Sequence, residues 1–190
     1  VLGVDVSQKV VETINRGEIH IEEVDLDALV QGVVARGMLS ASTEVAPADV
    51  FVVAVPTPFD KNHAPDISYV LAAGKAIAPA LKAGDIVILE STSPVGTTEA
   101  LRDMIAELRP DLKCPGVTRE TPDISIAYCP ERVLPGHILK ELIENDRSGL
   151  LVRNVEQLGD ALGRIGHDAG VRSRSKDGAV IRARACPPAT

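Results

Sequence analysis

The sequence has few aromatic residues, no excess of basic charge and no long apolar run. Aromatic residues make up 2% of the 190 residues and tryptophan is absent, which argues against nucleic-acid binding by base stacking. The formal net charge of −7 argues against a phosphate-backbone partner as well. No apolar run reaches the roughly 18 residues of a membrane span. We therefore expect neither a nucleic acid nor a membrane as a partner.

Cysteine is also sparse. Cys114, Cys129 and Cys186 are odd in number, widely spaced and without a Cys-x-x-Cys pair, which predicts reduced thiols in a cytoplasm rather than disulfides or a zinc site. The four histidines show no metal-ligand spacing, so no metal is predicted. The chain begins with Val and has no basic leader, so we expect no signal peptide and a true start that lies upstream.

What the sequence does contain is a series of short apolar runs that alternate with amphipathic segments. Such alternation with short connections is typical of right-handed βαβ units and a parallel sheet with flanking helices. We predict helix N-caps at Ser7 and at Thr97 or Thr98. The predicted strands are 1–5, 50–55, 86–89 and 124–127, and the predicted helices are 8–15, 26–36, 66–82 and 97–108. The first strand is expected to be buried, and the second to be of the parallel type that is buried on both faces.

The charge balance divides the chain near Arg147. Residues 1–147 hold 13 basic and 23 acidic side chains, whereas residues 148–190 hold 7 and 4. Residues 155–165 could form one amphipathic helix, but residues 182–190 lack the periodicity of a packed element. We predict a globular part over 1–147 and a divergent tail over 148–190, either disordered or read out of frame relative to an ancestral gene.

Asp5 is the first candidate for chemistry. An acid at the end of the second strand of a dinucleotide-binding unit accepts hydrogen bonds from adenosine ribose hydroxyls, which favours NAD over NADP. The glycine-rich loop that should precede it by roughly 20 residues is not in the sequence. A solvated turn acid is the alternative interpretation.

Three loops follow successive predicted strands, and each contains proline. They are Val55-Pro56-Thr57-Pro58, Ser91-Thr92-Ser93-Pro94-Val95-Gly96-Thr97 and Tyr128-Cys129-Pro130-Glu131-Arg132-Val133-Leu134-Pro135-Gly136. Each loop alone is compatible with ordinary turn and capping chemistry. Because ligands bind at the carboxyl edge of parallel strands, three such loops favour one cleft in which Glu131 is held rigidly. Cys129 is a weak candidate nucleophile, since only Arg132 is placed to lower its pKa.

These segments together resemble the nucleotide-sugar 6-dehydrogenases, the family of UDP-glucose and GDP-mannose dehydrogenases. The resemblance covers about residues 1–147. Its motifs are Gly3-Val4-Asp5, Val55-Pro56-Thr57-Pro58, Glu90-Ser91-Thr92-Ser93-Pro94-Val95-Gly96-Thr97 and Cys129-Pro130-Glu131-Arg132. Three further segments are similar to the branch that oxidises UDP-N-acetylmannosamine: Asn15-Arg16-Gly17-Glu18-Ile19-His20, residues 126–136 and Glu144-Asn145-Asp146-Arg147.

The resemblance implies a Rossmann-like fold and an NAD-dependent oxidation of a UDP-sugar. In that family the C6 alcohol becomes a carboxylate in two steps, through a thiohemiacetal and a thioester on a cysteine. By resemblance Asp5 holds the adenosine ribose, Pro56 and Thr57 line the cofactor cleft, Thr92 positions the reacting oxygen or water, and Glu131 acts in acid/base steps near the nicotinamide. The implied sugar-nucleotide contacts are Arg132, Val133, Leu134 and Pro135.

The sequence also departs from the family. The first strand and its glycine loop are missing, and the nucleophilic cysteine, a lysine and an asparagine of the family lie beyond the matching region. We therefore expect a fragment of a homo-oligomeric parent enzyme, inactive alone and without tight NAD binding. In the strand order 3-2-1-4-5-6 the absent strand is central, which predicts two unpaired edges or a sheet that closes with altered register. The alternatives are a UDP-glucose 6-dehydrogenase fragment and a non-catalytic Rossmann-like binding remnant.

Overall fold

The computed structural model describes residues 1–21, 23, 26–59, 61, 64–117, 121–129, 172–174 and 180–182. The described residues fall into two compact units, the first within 1–46 and the second within 47–129 together with 172–174 and 180–182. In chain order the elements are β1 (Leu2–Val4), α1 (Gln8–Asn15), α2 (Leu26–Ala35), β2 (Ser40–Ser42), β3 (Val50–Val53), α3 (Ser68–Ile77), a 3-10 turn (Ala78–Ala80), β4 (Ile86–Leu89), α4 (Thr97–Leu108), β5 (Ser125–Tyr128), β6 (Arg172–Arg174) and β7 (Val180–Arg182).

The strands confirm a parallel α/β arrangement. β1 pairs with β2 in parallel, with Leu2 opposite Ser40. β3, β4 and β5 form a second parallel sheet in that order, with Ile86 between Val50 and Ser125. Each sheet by itself has the parallel pairing of neighbouring strands that a Rossmann-like order requires. No described strand corresponds to strand 1, and no ladder joins β1 to β3 within the described residues.

The first unit is built around the β1–β2 pair. The predicted N-cap is confirmed, since the Ser7 hydroxyl accepts the Val10 amide and α1 begins at the next residue. The expectation of a buried first strand is wrong, because Leu2 and Val4 are 40% and 48% exposed while α1 packs on β2. β2 was not predicted, since Ser-Ala-Ser has no apolar alternation, and it forms by pairing with β1.

In the second unit, β4 and β5 pass through a continuous apolar core. Its fully buried side chains share the inward faces of the sheet and helices: Val70, Ile86, Val87, Leu89, Leu101, Ile105 and Ile124. β3 is shorter than predicted and ends at Val53. Burial on both of its faces is also wrong, because Phe51 and Val53 are buried but Val52 is 52% exposed. β3 lies at the edge of the described three-stranded sheet, where one face is less covered.

Prolines and glycines set the helix ends of this unit. α3 starts behind Asp66, whose carboxylate accepts the Ser68 amide at 2.8 Å. It ends at Ile77 rather than Lys82 because a 3-10 turn that contains proline follows. The predicted Thr97 or Thr98 cap of α4 is wrong: Gly96 is the N-cap, with a φ of 93°. The Thr97 hydroxyl instead donates to the Pro94 carbonyl at 2.8 Å.

β6 and β7 form a short antiparallel pair within the part of the chain that was predicted to be a divergent tail. The helix predicted over 155–165 lies outside the described residues. Among the helices that the structure describes, none combines the length and apolar character needed to cross a bilayer.

Candidate cofactor site

Asp5 lies at the carboxyl end of β1, where the sequence places a ribose-binding acid. Its amide donates to the Ser42 carbonyl at 3.2 Å, which extends the pairing with β2 by one residue. One carboxylate oxygen, Oδ1, accepts the Ser7 amide at 2.7 Å, so the side chain is held against the start of α1. Oδ2 has no hydrogen-bond partner among the described residues, and the carboxylate is solvent-exposed. Asp5 can therefore accept further hydrogen bonds from a ligand.

At the carboxyl end of the second sheet, β3 and β4 stay joined beyond their last backbone ladder bond. That bond runs from the Glu90 amide to the Val53 carbonyl, at 2.8 Å. One step further, the Ser91 hydroxyl donates to the Val55 carbonyl at 2.8 Å and accepts the Val55 amide at 3.1 Å. A single side chain thus replaces the next pair of backbone bonds. No individual role was predicted for Ser91, because a serine at a strand end is ordinary turn chemistry.

Thr57 and Thr92 meet one residue further along the same two loops. The Thr57 hydroxyl donates to the Thr92 carbonyl. Thr57 is half-buried, whereas Pro56 and Thr92 are exposed. Three of the predicted site residues are therefore brought together at one sheet edge, with surfaces that a ligand can reach. This confirms that the first two loops share an edge, as their positions after neighbouring parallel strands predict.

Cys129 follows β5 and extends the same edge. Its amide donates to the Leu89 carbonyl at 2.9 Å, and its side chain is half-buried. Cys114, by contrast, is 2% exposed, and burial raises the pKa of its thiol, although the nearby Arg102 opposes that shift. A buried thiol with a raised pKa is a poor nucleophile.

The third predicted loop lies outside the described residues from Pro130 onward. The roles assigned to Glu131 and to the sugar-nucleotide contacts Arg132, Val133, Leu134 and Pro135 therefore stay predictions. Within the described ranges, no group of three or more His, Cys, Asp or Glu side chains could hold a metal ion.

The described residues fit parts of a nicotinamide dinucleotide. The exposed carboxylate of Asp5, with one oxygen unpartnered among the described residues, suits the vicinal hydroxyls of the adenosine ribose. Exposed Pro56 and Thr92, with Thr57 between them, offer a rigid edge and hydroxyls at the strand ends where such ligands bind. The pyrophosphate has no matching glycine loop, because the 190 residues contain no Gly-x-Gly-x-x-Gly.

Comparison with known proteins identifies the family of the chain. Residues 1–161 match the model of the UDP-glucose/GDP-mannose dehydrogenase family, NAD binding domain. The chain is 60% identical over 147 residues to the NDP-N-acetyl-D-galactosaminuronic acid dehydrogenase of Ralstonia nicotianae, and 56% identical over 147 residues to the UDP-N-acetyl-D-mannosamine dehydrogenase of Escherichia coli. Each match covers 77% of this chain and 35% of the relative, so the chain spans about a third of the length of these curated relatives.

Solved structures give the same result. The UDP-N-acetylmannosamine dehydrogenase of Pyrococcus horikoshii is 34% identical and superposes with a TM-score of 0.75, covering 86% of this chain and 38% of that one. A GDP-mannose dehydrogenase from Pseudomonas aeruginosa is 28% identical with a TM-score of 0.74, covering 87% and 38%. The chain therefore belongs to the UDP-glucose/GDP-mannose dehydrogenase family and carries the sequence of its NAD-binding domain.

Proposed function

We propose that this chain supplies the NAD-binding part of a cytoplasmic UDP-N-acetyl-D-mannosamine 6-dehydrogenase. The whole enzyme would be a homo-oligomer that oxidises the sugar C6 alcohol to a carboxylate, a precursor for surface polysaccharide. The observation that carries the proposal is the joined edge of β3 and β4, where Thr57 donates to the carbonyl of Thr92 at the strand ends. The 56% identity to the Escherichia coli enzyme over 147 residues supports the choice of sugar.

Each residue of the proposed site has one task. Bound NAD would supply the hydride acceptor for both oxidations. Asp5 accepts hydrogen bonds from the adenosine ribose through its free carboxylate oxygen. Pro56 and Thr57 line the cleft and exclude water from one side of the cofactor. Thr92 orients the reacting oxygen or water through its hydroxyl.

Glu131 is the proposed acid/base residue, and it holds or takes a proton close to the nicotinamide. A carboxylate does this efficiently only when its surroundings bring its pKa towards the working pH. The residues that follow it recognise the sugar nucleotide; they are Arg132, Val133, Leu134 and Pro135. The family's nucleophilic cysteine is not assigned to any residue of this chain.

A hybrid enzyme tests the proposal directly. Residues 1–147 of this chain replace the corresponding segment of the Escherichia coli UDP-N-acetyl-D-mannosamine dehydrogenase, and NADH formation from UDP-N-acetylmannosamine is followed. We expect kcat/KM within about tenfold of the host enzyme, a difference of about 1.4 kcal/mol in transition-state stabilisation. A hybrid that is folded and oligomeric but inactive would contradict the proposal and favour a non-catalytic binding remnant.

A second candidate is oxidation of a nucleotide-linked N-acetylgalactosamine. The 60% identity to the Ralstonia nicotianae enzyme, whose name specifies the galactosaminuronic acid, favours it. The same replacement in the Ralstonia nicotianae enzyme distinguishes the two substrates, because residues 131–135 must be compatible with the sugar that the rest of the host enzyme binds. The host in which the larger fraction of kcat/KM is retained identifies the sugar. Turnover of UDP-glucose in preference to both would instead favour a UDP-glucose 6-dehydrogenase.

A further inference from the structure

Ser91 is a buried polar side chain at the carboxyl edge of the β3–β4–β5 sheet. It is 5% exposed, while its neighbour Thr92 is exposed. Its hydroxyl both donates to and accepts from the backbone of Val55, at 2.8 and 3.1 Å. A hydroxyl has one donor and two acceptor sites, so this pair of bonds uses its only proton.

The loop that Ser91 holds has few backbone donors of its own. Pro56 and Pro58 lack an N–H, so residues 56–58 cannot extend the ladder with β4. The loop is instead anchored at three points: Val55 to Ser91, Thr57 to the Thr92 carbonyl, and the Pro58 carbonyl to the Asp66 amide at 2.7 Å. Only the first of these anchors involves a buried side chain, that of Ser91.

The bonds between Ser91 and Val55 also restrict Thr57 and Thr92, because each of these is covalently close to one of the bonded residues. Thr57 lies two residues beyond Val55, and Thr92 directly follows Ser91. Fixing Val55 against Ser91 therefore limits how far the Thr57 hydroxyl and the Thr92 carbonyl can move apart. The exposed Thr57–Thr92 bond alone would compete with water.

We propose that Ser91 is a positioning residue for the oxidation, acting through Thr57 and Thr92 on the cofactor and the reacting oxygen. This inference rests on the proposed function of the same edge. It assigns to Ser91 a role beyond local stability. The two hydrogen bonds between the Ser91 hydroxyl and the Val55 backbone, here called the Ser91 clasp, set the geometry in which hydride transfer would occur. A misplacement of about 1 Å at such a site can cost about a hundredfold in rate.

The first test uses the full 190-residue chain and does not depend on activity. In Ser91→Ala the Val55 amide loses its acceptor, so its hydrogen exchange should accelerate by about tenfold or more, as expected of a local opening. Ser93→Ala is the matched control, because the Ser93 hydroxyl donates to the Ser91 carbonyl within the same loop, at 3.2 Å. Unchanged exchange at Val55 in Ser91→Ala would overturn the positioning role, whatever an activity assay gives.

The second test places Ser91→Ala in the Escherichia coli hybrid. We expect kcat to fall by about tenfold while KM for the UDP-sugar changes by less than about twofold, the pattern of an interaction that acts in the transition state. Ser68→Ala, an exposed serine at the start of α3, is the control for a serine lost elsewhere. If Ser91→Ala prevents folding, Ser91→Cys keeps the volume but weakens the bonds.

The two proposals fail in different ways. An inactive hybrid without any substitution refutes the proposed function, whereas an active hybrid in which Ser91→Ala leaves kcat unchanged refutes the positioning role of Ser91. A rise in KM with unchanged kcat also refutes it, because that result assigns Ser91 to ground-state binding.

Discussion

Gly74 in α3 is the position at which one added methyl group should be most damaging. A Cβ built on Gly74 would lie 2.5 Å from the Met104 Cε and closer still to the Leu101 Cδ1, both on α4. Leu101 is fully buried, so its side chain must repack to accommodate an added methyl group. The close approach of α3 and α4 therefore requires glycine for lack of volume, because the backbone at Gly74 is helical.

Two opposing effects decide the sign of Gly74→Ala. Alanine in a helix interior is favoured over glycine by roughly 0.5–1 kcal/mol, because the unfolded chain loses less entropy. Overpacking a close-packed core costs typically about 1–3 kcal/mol. Both clashing atoms are the ends of flexible side chains that can shift, so we take the middle of that range and expect a net destabilisation of about 1 kcal/mol. The midpoint of thermal unfolding should fall by about 2–8 °C.

Gly32→Ala in α2 is the matched control. It makes the same change inside a helix, but a Cβ on Gly32 would meet nothing within 4 Å. The propensity gain should then stand alone and raise stability by roughly 0.5–1 kcal/mol. Because the two glycines belong to different units, unfolding is best followed by hydrogen exchange of each unit in urea, which resolves their separate free energies. A Gly74→Ala chain as stable as the parent would refute the assigned packing of α3 on α4.

Three further outcomes are expected. Asn15→Ala should lower the stability of the first unit by about 1–2 kcal/mol and deprotect the Ala41 amide, because the Asn15 side chain exchanges hydrogen bonds with the Ala41 carbonyl and amide at 2.9 and 2.7 Å. The hydrogen bond from Arg109 lowers the pKa of Asp111, so the ionised carboxylate stabilises the fold above the ordinary pKa of 3.8, and this stabilisation is lost as the pH falls below that value. In Asp111→Asn the free energy of unfolding should therefore depend less on pH in this acidic range. Millimolar NAD should raise the melting temperature of the 190-residue chain by less than about 2 °C, and a shift of several degrees would contradict weak binding.

The elements that sequence reasoning found were those with strong local signals. The runs around Val87 and Ile126 are long and apolar enough to form strands in almost any context, and both did. Ser7 was identified as a cap because its side chain needs only the next three residues. In each case the information lies within one turn or one strand of the residue concerned.

What sequence reasoning missed depends on partners far along the chain. β2 has no apolar pattern, and it is a strand because β1 and the side chain of Asn15 bond to its backbone. The Ser91 clasp joins residues 36 positions apart, and nothing around Ser91 distinguishes it from a turn serine. Gly96, and not Thr97, is the N-cap of α4 because the turn that begins at Pro94 requires a positive φ at the residue before the helix.

The Ser91 hydroxyl holds the loop after β3 against the loop after β4 through its two bonds to Val55. Glu131, the proposed acid/base residue, lies outside the described residues. The described residues show how the first two loops are held: beyond the last ladder bond, β3 and β4 are joined by a part-buried side-chain bond and an exposed one. Because prolines remove the donors that a ladder would need, serine and threonine side chains must supply the connection. A site built this way can be tuned by single hydroxyls, so loss of Ser91 should affect turnover more than it affects the fold.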